Sequence, residues 1–190
     1  MNSRVNFKLL ATAVAAVTLL GGAEAATYNY AGDTTGAPTY NRLLTTLTSL
    51  SAVGTAVHYQ TFSFHVDTAG SYDFLSVTAP KWDNFLFLYQ GSFNPATPLL
   101  GAVAGNDDFP GTGTTGGIAG FSFALNAGTE YIVVTTAFGN SNFGAYANSI
   151  SGAGTVIPSA VPEPASYALM ALGLGLVGCM ARRRVGAHQV

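Results

Sequence analysis

The chain has 190 residues, enough for one folded domain with appended segments. Charged residues make up only 8% of it, about a third of the ~25% that is usual in globular domains. Residues 26–160 contain seven acidic and two basic residues, a net charge of −5. This balance argues against a nucleic-acid partner, because nucleic-acid binding depends on clustered basic side chains.

The first 25 residues have the pattern of a secretory signal peptide. Two basic residues precede an uncharged apolar stretch, residues 9–20. Ala23 and Ala25 then place small side chains at the two positions that signal peptidase inspects. We therefore expect signal peptidase to cleave after Ala25 and to leave residues 26–160 as an exported domain.

Six segments of the exported domain have the composition of β-strands, being rich in aromatic and β-branched residues and often alternating apolar with polar side chains. In chain order they are TFSFHV (61–66), YDFLSVT (72–78), NFLFLYQ (84–90), GFSFAL (120–125), EYIVVTTA (130–137) and AYANSI (145–150). Gly, Pro, Asn and Asp, which favour turns, fill the segments between them. The pattern predicts an all-β, antiparallel β-sandwich. Only residues 40–50, YNRLLTTLTSL, favour a helix, and their Thr content weakens that preference.

A Gly-rich segment at residues 105–117, GNDDFPGTGTTGG, is the most site-like part of this domain. Asn106, Asp107 and Asp108 offer oxygen atoms, which Ca²⁺ prefers as ligands. Asp83 joins them if the strand that follows it ends beside this loop. The alternative is an ordinary turn, because Asn and Asp followed by Pro and Gly are common turn residues. Both interpretations stay open, with the turn favoured.

Catalytic motifs are not recognisable in the sequence. Gly-x-Ser-x-Gly and His-Glu-x-x-His are both absent. His58 and His65 are seven residues apart on what reads as one strand, so they would point to opposite faces and could not chelate a metal together. We therefore expect a protein that is not an enzyme.

Four aromatic residues would form a sugar-stacking platform if they were exposed, although burial in the core is the commoner use of such side chains. They are Tyr72, Trp82, Tyr89 and Tyr146.

The end of the chain has three parts in a fixed order. Val161, Pro162, Glu163 and Pro164 come first, an uncharged run at residues 165–181 follows, and Arg182, Arg183 and Arg184 close it. As a helix the uncharged run would be roughly 26 Å long at 1.5 Å per residue, near the lower limit for crossing a bilayer core of about 30 Å. Arginines that flank a span stay cytoplasmic. We therefore expect one transmembrane helix, with residues 186–190 as a cytoplasmic stub.

This arrangement resembles the PEP-CTERM protein-sorting signal of exopolysaccharide-producing Gram-negative bacteria, a tail also described as the ice-binding protein C-terminal domain. The resemblance covers residues 161–185. It implies that exosortase, a membrane protease-transpeptidase, processes the tail near Pro162-Glu163-Pro164. It also implies a precursor anchored in the inner membrane by its C-terminal helix, and a product at the cell surface or secreted.

The exported domain in turn resembles the pre-peptidase C-terminal type of jelly-roll sandwich. The matching pieces are FSFHVDTAGSYDF, DNFLFLYQ, NDD and LNAGTEYIVV, within residues 59–150. Domains of that family are non-catalytic accessory modules, and some relatives bind calcium at the corresponding loop.

These observations together predict a non-enzymatic exported protein with a structural or adhesive role in the exopolysaccharide or biofilm matrix. Its expected partners are signal peptidase and exosortase during export, and extracellular polysaccharide afterwards. No cofactor is expected for this role. The alternative is a calcium-dependent carbohydrate-binding module, for which calcium would be the cofactor. A secreted hydrolase is the least favoured alternative.

Overall fold

The computed structural model describes residues 25–79, 82–109 and 117–159, which fold as an all-β domain without a helix. Within these ranges eleven strands form, and all of their pairings are antiparallel. They are β1 (Ala26–Asp33), β2 (Thr39–Tyr40), β3 (Val57–His58), β4 (Gln60–Val66), β5 (Gly70–Thr78), β6 (Asn84–Gln90), β7 (Ala102–Asn106), β8 (Ile118–Leu125), β9 (Tyr131–Ala137), β10 (Ala145–Gly152) and β11 (Val156–Pro158).

The strands form two large sheets and one small one. The four-stranded sheet has the order β1-β10-β5-β8, the five-stranded sheet has the order β11-β4-β9-β6-β7, and β2 pairs with β3. Each of the six predicted segments lies within a strand, except that Glu130 of the fifth segment precedes β9. The predicted all-β, antiparallel class is therefore confirmed.

The main hydrophobic core lies where the two large sheets face each other. Phe64 of β4 and Phe74 of β5 belong to different sheets, and their ring centroids are 6.1 Å apart. The buried cluster around them is Val66, Tyr72, Leu86, Leu88, Ala119, Leu125, Tyr131, Val133, Ile150 and Val156. Since both sheets contribute, the arrangement is consistent with a β-sandwich.

A second core covers the outer face of the five-stranded sheet. All of β9 and the first six residues of β6 are buried, so these central strands are covered on both faces. Tyr40, Leu43 and Val57, from the segment between β1 and β4, belong to the buried cluster on that outer face. This cover explains why NFLFLYQ is apolar on both faces.

Residues 40–50 do not form the helix that their sequence weakly favours. Backbone hydrogen bonds run between facing stretches of chain, from Arg42 N to Gly54 O at 2.9 Å and from Leu44 N to Ser49 O at 3.0 Å. Leu43 is fully buried whereas Leu44 is 39% exposed. The two neighbouring side chains therefore lie on opposite sides of an extended chain. The helix expectation is wrong because burial against the sheet outweighs a weak local preference.

Strand β11 brings the described domain to its end. It pairs with β4, and Ser159 extends the contact by donating its backbone N–H to Ser63 O at 2.9 Å. The Ser159 hydroxyl also donates to Glu130 Oε2 at 2.6 Å. The chain is thus fixed to the five-stranded sheet up to its last described residue.

Candidate functional site

Three aspartates lie close together at one end of the five-stranded sheet. Asp83 immediately precedes β6, while Asp107 and Asp108 immediately follow β7. Because β6 and β7 pair antiparallel, with Leu86 opposite Asn106, the beginning of one strand lies beside the end of the other. The register therefore places the four residues singled out in the sequence, Asp83 and the Asn106–Asp108 run, at the same edge.

The electrostatics of this cluster disfavour three simultaneous negative charges. Burial raises the pKa of Asp107 to about 7, and the charges of Asp83 and Asp108 act in the same direction. Burial also raises the pKa of Asp83, with Asp108 as the next cause. Oδ1 of Asp107 is buried and finds no hydrogen-bond partner in the described residues. At neutral pH Asp107 is thus partly protonated, because the cluster disfavours full ionisation.

Arg42 is the counter-charge of the cluster, and sequence reasoning missed it. Its guanidinium opposes the rise in pKa of both Asp83 and Asp107. The residue is 2% exposed, and burial lowers its own pKa. Nε donates to Phe138 O at 3.0 Å, and the charge lies 4.5 Å from the ring centroid of Phe85. Arg42 is therefore held by carbonyl and aromatic contacts, and not by a direct ion pair.

Asn106 uses its side chain within the loop itself. Nδ2 donates to Asp108 O at 2.6 Å and to Gly120 O at 2.9 Å, and Oδ1 accepts the backbone N–H of Asp107 at 2.9 Å. These bonds are those of a turn that is tied to the neighbouring strand β8. Across residues 25–79, 82–109 and 117–159, no group of three or more His, Cys, Asp or Glu side chains has the arrangement of a metal site. Calcium binding by this cluster stays a prediction.

The four aromatic residues considered as a sugar platform are core residues. Tyr72 and Tyr89 are fully buried, while Trp82 and Tyr146 are 9% and 7% exposed. Their polar atoms are used internally, and Trp82 Nε1, for example, donates to Ala145 O at 3.0 Å. The prediction that these residues form a sugar-stacking platform is therefore wrong.

The two histidines of the domain lie on separate strands. His58 ends β3 and His65 belongs to β4, so the expectation that one strand carries both is wrong. Nδ1 of His58 is 2.5 Å from Ala37 O, and its ring packs edge-on against Phe143. His58 is thus engaged in local packing.

An open groove on the outer face of the five-stranded sheet carries aromatic residues that sequence reasoning did not single out. It has a volume of about 700 Å³. We call it the Tyr59–Phe93 groove, and the side chains that matter for its chemistry are Tyr59, Thr61, Ser63, Ser92, Phe93 and Glu130. Asp83 precedes β6 and the groove begins after it, at Gly91. The groove and the aspartate cluster therefore lie at opposite ends of β6.

The residues predicted to direct export lie almost entirely outside the described ranges. They are Ala23 of the signal peptide, the Val161, Pro162, Glu163 and Pro164 segment, and Arg182, Arg183 and Arg184; Ala25 is the first described residue. Nothing in the structure therefore tests the predicted signal peptide or the predicted span at 165–181. The described residues contain no helix with the length and hydrophobicity that a membrane crossing requires.

Comparison with known families identifies the C-terminal tail. The family model of the PEP-CTERM protein-sorting motif matches residues 160–185. None of the curated proteins matches the chain. The chain thus carries a PEP-CTERM sorting motif, which implies exosortase as processing partner and an exported, membrane-anchored precursor sorted to the cell surface. The resemblance to pre-peptidase C-terminal domains stays a prediction.

Proposed function

We propose that this protein is a non-enzymatic surface protein, delivered by its PEP-CTERM tail, with a structural or adhesive role in the extracellular polysaccharide matrix. The observation that carries the proposal is the sorting motif at residues 160–185. An exported domain with so few charged residues presents hydroxyl, amide and small apolar groups, which suit contact with a hydrated polymer better than contact with a charged one.

The proposed route uses both ends of the chain. Signal peptidase removes the leader after Ala25, the domain folds outside the inner membrane, and the span at 165–181 holds the precursor there. The prolines at 162 and 164 lack backbone donors and fit poorly in a helix, a property that suits recognition of the segment around Glu163 by exosortase. The arginines at 182–184 then stop translocation.

A jelly-roll domain is the proposed folded part, and the strand order supports it. Apart from β2, β3 and β11, the eight remaining strands divide as β1-β10-β5-β8 and β4-β9-β6-β7. Successive strands change sheet at every step except from β6 to β7, which pair with each other, and this order matches the two Greek keys of a jelly roll.

Sorting is tested in a host that makes exosortase, with the full chain carrying Pro162→Ala, Glu163→Ala and Pro164→Ala together. The intact mass of protein recovered from each cell fraction reports both cleavages. We expect the native chain to reach the surface without leader or tail, and the triple variant to remain in the membrane fraction with its tail. Pro95→Ala, an exposed loop proline outside the motif, is the matched control. Normal processing of the triple variant would contradict the route.

The matrix role is tested by deleting the gene and measuring the polysaccharide that cells retain under shear. We expect retention to fall, and to return with the native chain but not with the triple variant. Unchanged retention in the deletion strain would reject an adhesive or structural role and leave the sorting route standing.

A calcium-dependent carbohydrate-binding module is the second candidate. The specific observation in its favour is the electrostatic coupling of Asp83, Asp107 and Asp108, since a cation would relieve their mutual repulsion. Titration calorimetry with Ca²⁺, repeated after EDTA treatment, tests it. Neither heat nor a change in melting temperature would reject the calcium site.

A further inference from the structure

The aromatic wall of the Tyr59–Phe93 groove is rigid and partly exposed. The ring centroids of Tyr59 and Phe93 are 5.2 Å apart, with the rings inclined at 73°. Tyr40 and Tyr89 support Phe93 edge-on from beneath, at 5.4 Å and 4.8 Å. Tyr89 also donates its hydroxyl to Pro98 O at 2.8 Å, which fixes the loop that carries Phe93. A ligand therefore meets a preformed aromatic surface and need not order it.

The groove is also lined by polar side chains. Thr61 and Ser63 point outward from β4 because they alternate with Phe62 and Phe64, which face the main core. Ser92 adds a third hydroxyl from the loop after β6. In the described part of the chain, no hydrogen bond from these three hydroxyl groups to another protein group is formed, so they remain available to a ligand.

Of the described residues that line the groove, Glu130 alone carries a charged side chain. Its Oε2 accepts the Ser159 hydroxyl at 2.6 Å, which holds the carboxylate in place at the rim and leaves acceptor capacity on its oxygens. Arg42, the basic residue of the described ranges, is buried beside Phe85 and Phe138, in the core and away from the groove. Among the described residues, an anionic polymer would thus meet a carboxylate and no lysine or arginine in the groove lining.

We propose that the Tyr59–Phe93 groove binds a segment of an uncharged polysaccharide. A sugar ring has an apolar face that packs on an aromatic ring, and a rim of hydroxyls that pairs with hydroxyl and carboxylate groups. The groove offers both kinds of group in the lining of one space of about 700 Å³. This inference rests on the proposed adhesive function and assigns the partner and the residues that contact it.

The test uses the purified full chain in a zwitterionic detergent, because detergents with sugar headgroups would compete for the groove. Affinity electrophoresis and calorimetry are run with three uncharged polymers, hydroxyethyl cellulose, dextran and galactomannan, and with alginate as an anionic comparator. We expect at least one uncharged polymer to bind and alginate not to bind.

Three variants locate the binding. Phe93→Ala removes a supported ring, and we expect it to weaken binding about tenfold or more, as loss of a central aromatic contact does. Thr61→Val keeps the shape of an exposed side chain but removes its hydroxyl, and we expect a loss of roughly threefold to tenfold. Phe143→Ala, at a ring that is 43% exposed and does not line the groove, is the matched control and should bind normally. The emission of Trp82 checks that each variant is folded.

Absence of binding to all three uncharged polymers would overturn the proposal, as would preferential binding of alginate. Binding that persists unchanged in folded Phe93→Ala and Thr61→Val would place the ligand elsewhere and would overturn it too. The proposed function fails separately. If gene deletion lowers matrix retention but groove variants restore it, the groove is rejected and the adhesive role stands. If the groove binds polymer while deletion has no effect, the adhesive role is rejected.

Discussion

Asp107 makes the stability of the domain depend on pH between about 4 and 7. The folded chain keeps a proton on this carboxyl up to a pKa of about 7, whereas an ordinary aspartate releases it near 3.8. In the interval between these values the folded state binds more protons than the unfolded state, so the free energy of unfolding falls as pH rises. Below pH 4 both states are protonated, and above pH 7 the loss is complete.

The size of the effect follows from the two pKa values. A difference of roughly three units at 1.36 kcal/mol per unit gives a ceiling of about 4 kcal/mol. Asp107 is only partly buried, so solvent screens the charge and we expect about 1–2 kcal/mol. Asp83 acts in the same sense because its pKa is also raised. The pKa values of the exposed Asp33 and Asp67 are lowered instead, so their influence lies below pH 4.

Asp107→Asn tests this reasoning, with unfolding of the full chain followed through the emission of Trp82, its single tryptophan. Between pH 5 and 8 the native chain should lose about 1–2 kcal/mol of stability. The variant should lose much less and should be the more stable protein at pH 8. Asp33→Asn, at an exposed residue, should shift stability equally at both pH values. A native profile that is flat, or a slope that survives in Asp107→Asn, would refute the assignment of the effect to this buried carboxyl.

Three further substitutions probe packing, each measured by denaturant unfolding at pH 7. Arg42→Met keeps much of the side-chain volume but removes the bond to Phe138 O, and should destabilise by about 2–4 kcal/mol; a neutral result would mean that the guanidinium contributes nothing net. Gly105→Ala drives a methyl group into the ring of Phe87 on the paired strand and should cost about 1–3 kcal/mol, unless β7 moves away without penalty. Phe64→Ala empties the centre of the main core and should cost about 3–5 kcal/mol; a loss below about 1 kcal/mol would contradict its central place.

Strands in which large apolar side chains alternate with polar ones could be predicted from the sequence. Strands that form only because a neighbouring strand pairs with them could not. In β4, Phe62 and Phe64 face inward while Ser63 faces outward, and that contrast is visible in the sequence. By comparison, β7 reads AVAGN, and its Gly105 and Asn106 have the composition of a turn. Gly105 is needed because the ring of Phe87 crosses it, a requirement that only the paired strand reveals. Strands β2, β3 and β11, of two or three residues, are too short to show any period.

The residues of the candidate sites also fall into those that the sequence could place and those that it could not. Asp83 precedes a predicted strand, so its place at the sheet edge could be anticipated, whereas the Asn106–Asp108 run lies at the end of β7, which the sequence pattern does not show. Arg42 could not be linked to them, because its position depends on a covering segment with no clear local pattern. The choice of exposed aromatic residues also failed: Trp82 is buried, whereas Phe93 remains accessible because a loop of no regular structure carries it. Which ring stays accessible is decided by tertiary cover and not by residue type.

The attachment of β11 sets the path of mechanical load through an anchored molecule. Its pairing with β4 ends at Pro158, Ser159 adds one more bond, and the sorting motif begins at residue 160. The described domain therefore stays paired up to the residue that precedes the sorting motif. A pull from the cell therefore enters at Ser159 and acts first on this three-residue strand. Ser159 also donates a hydrogen bond to Glu130 of the groove. Tension on the C-terminal tail and binding of a ligand in the groove would therefore both act on the Glu130 carboxylate.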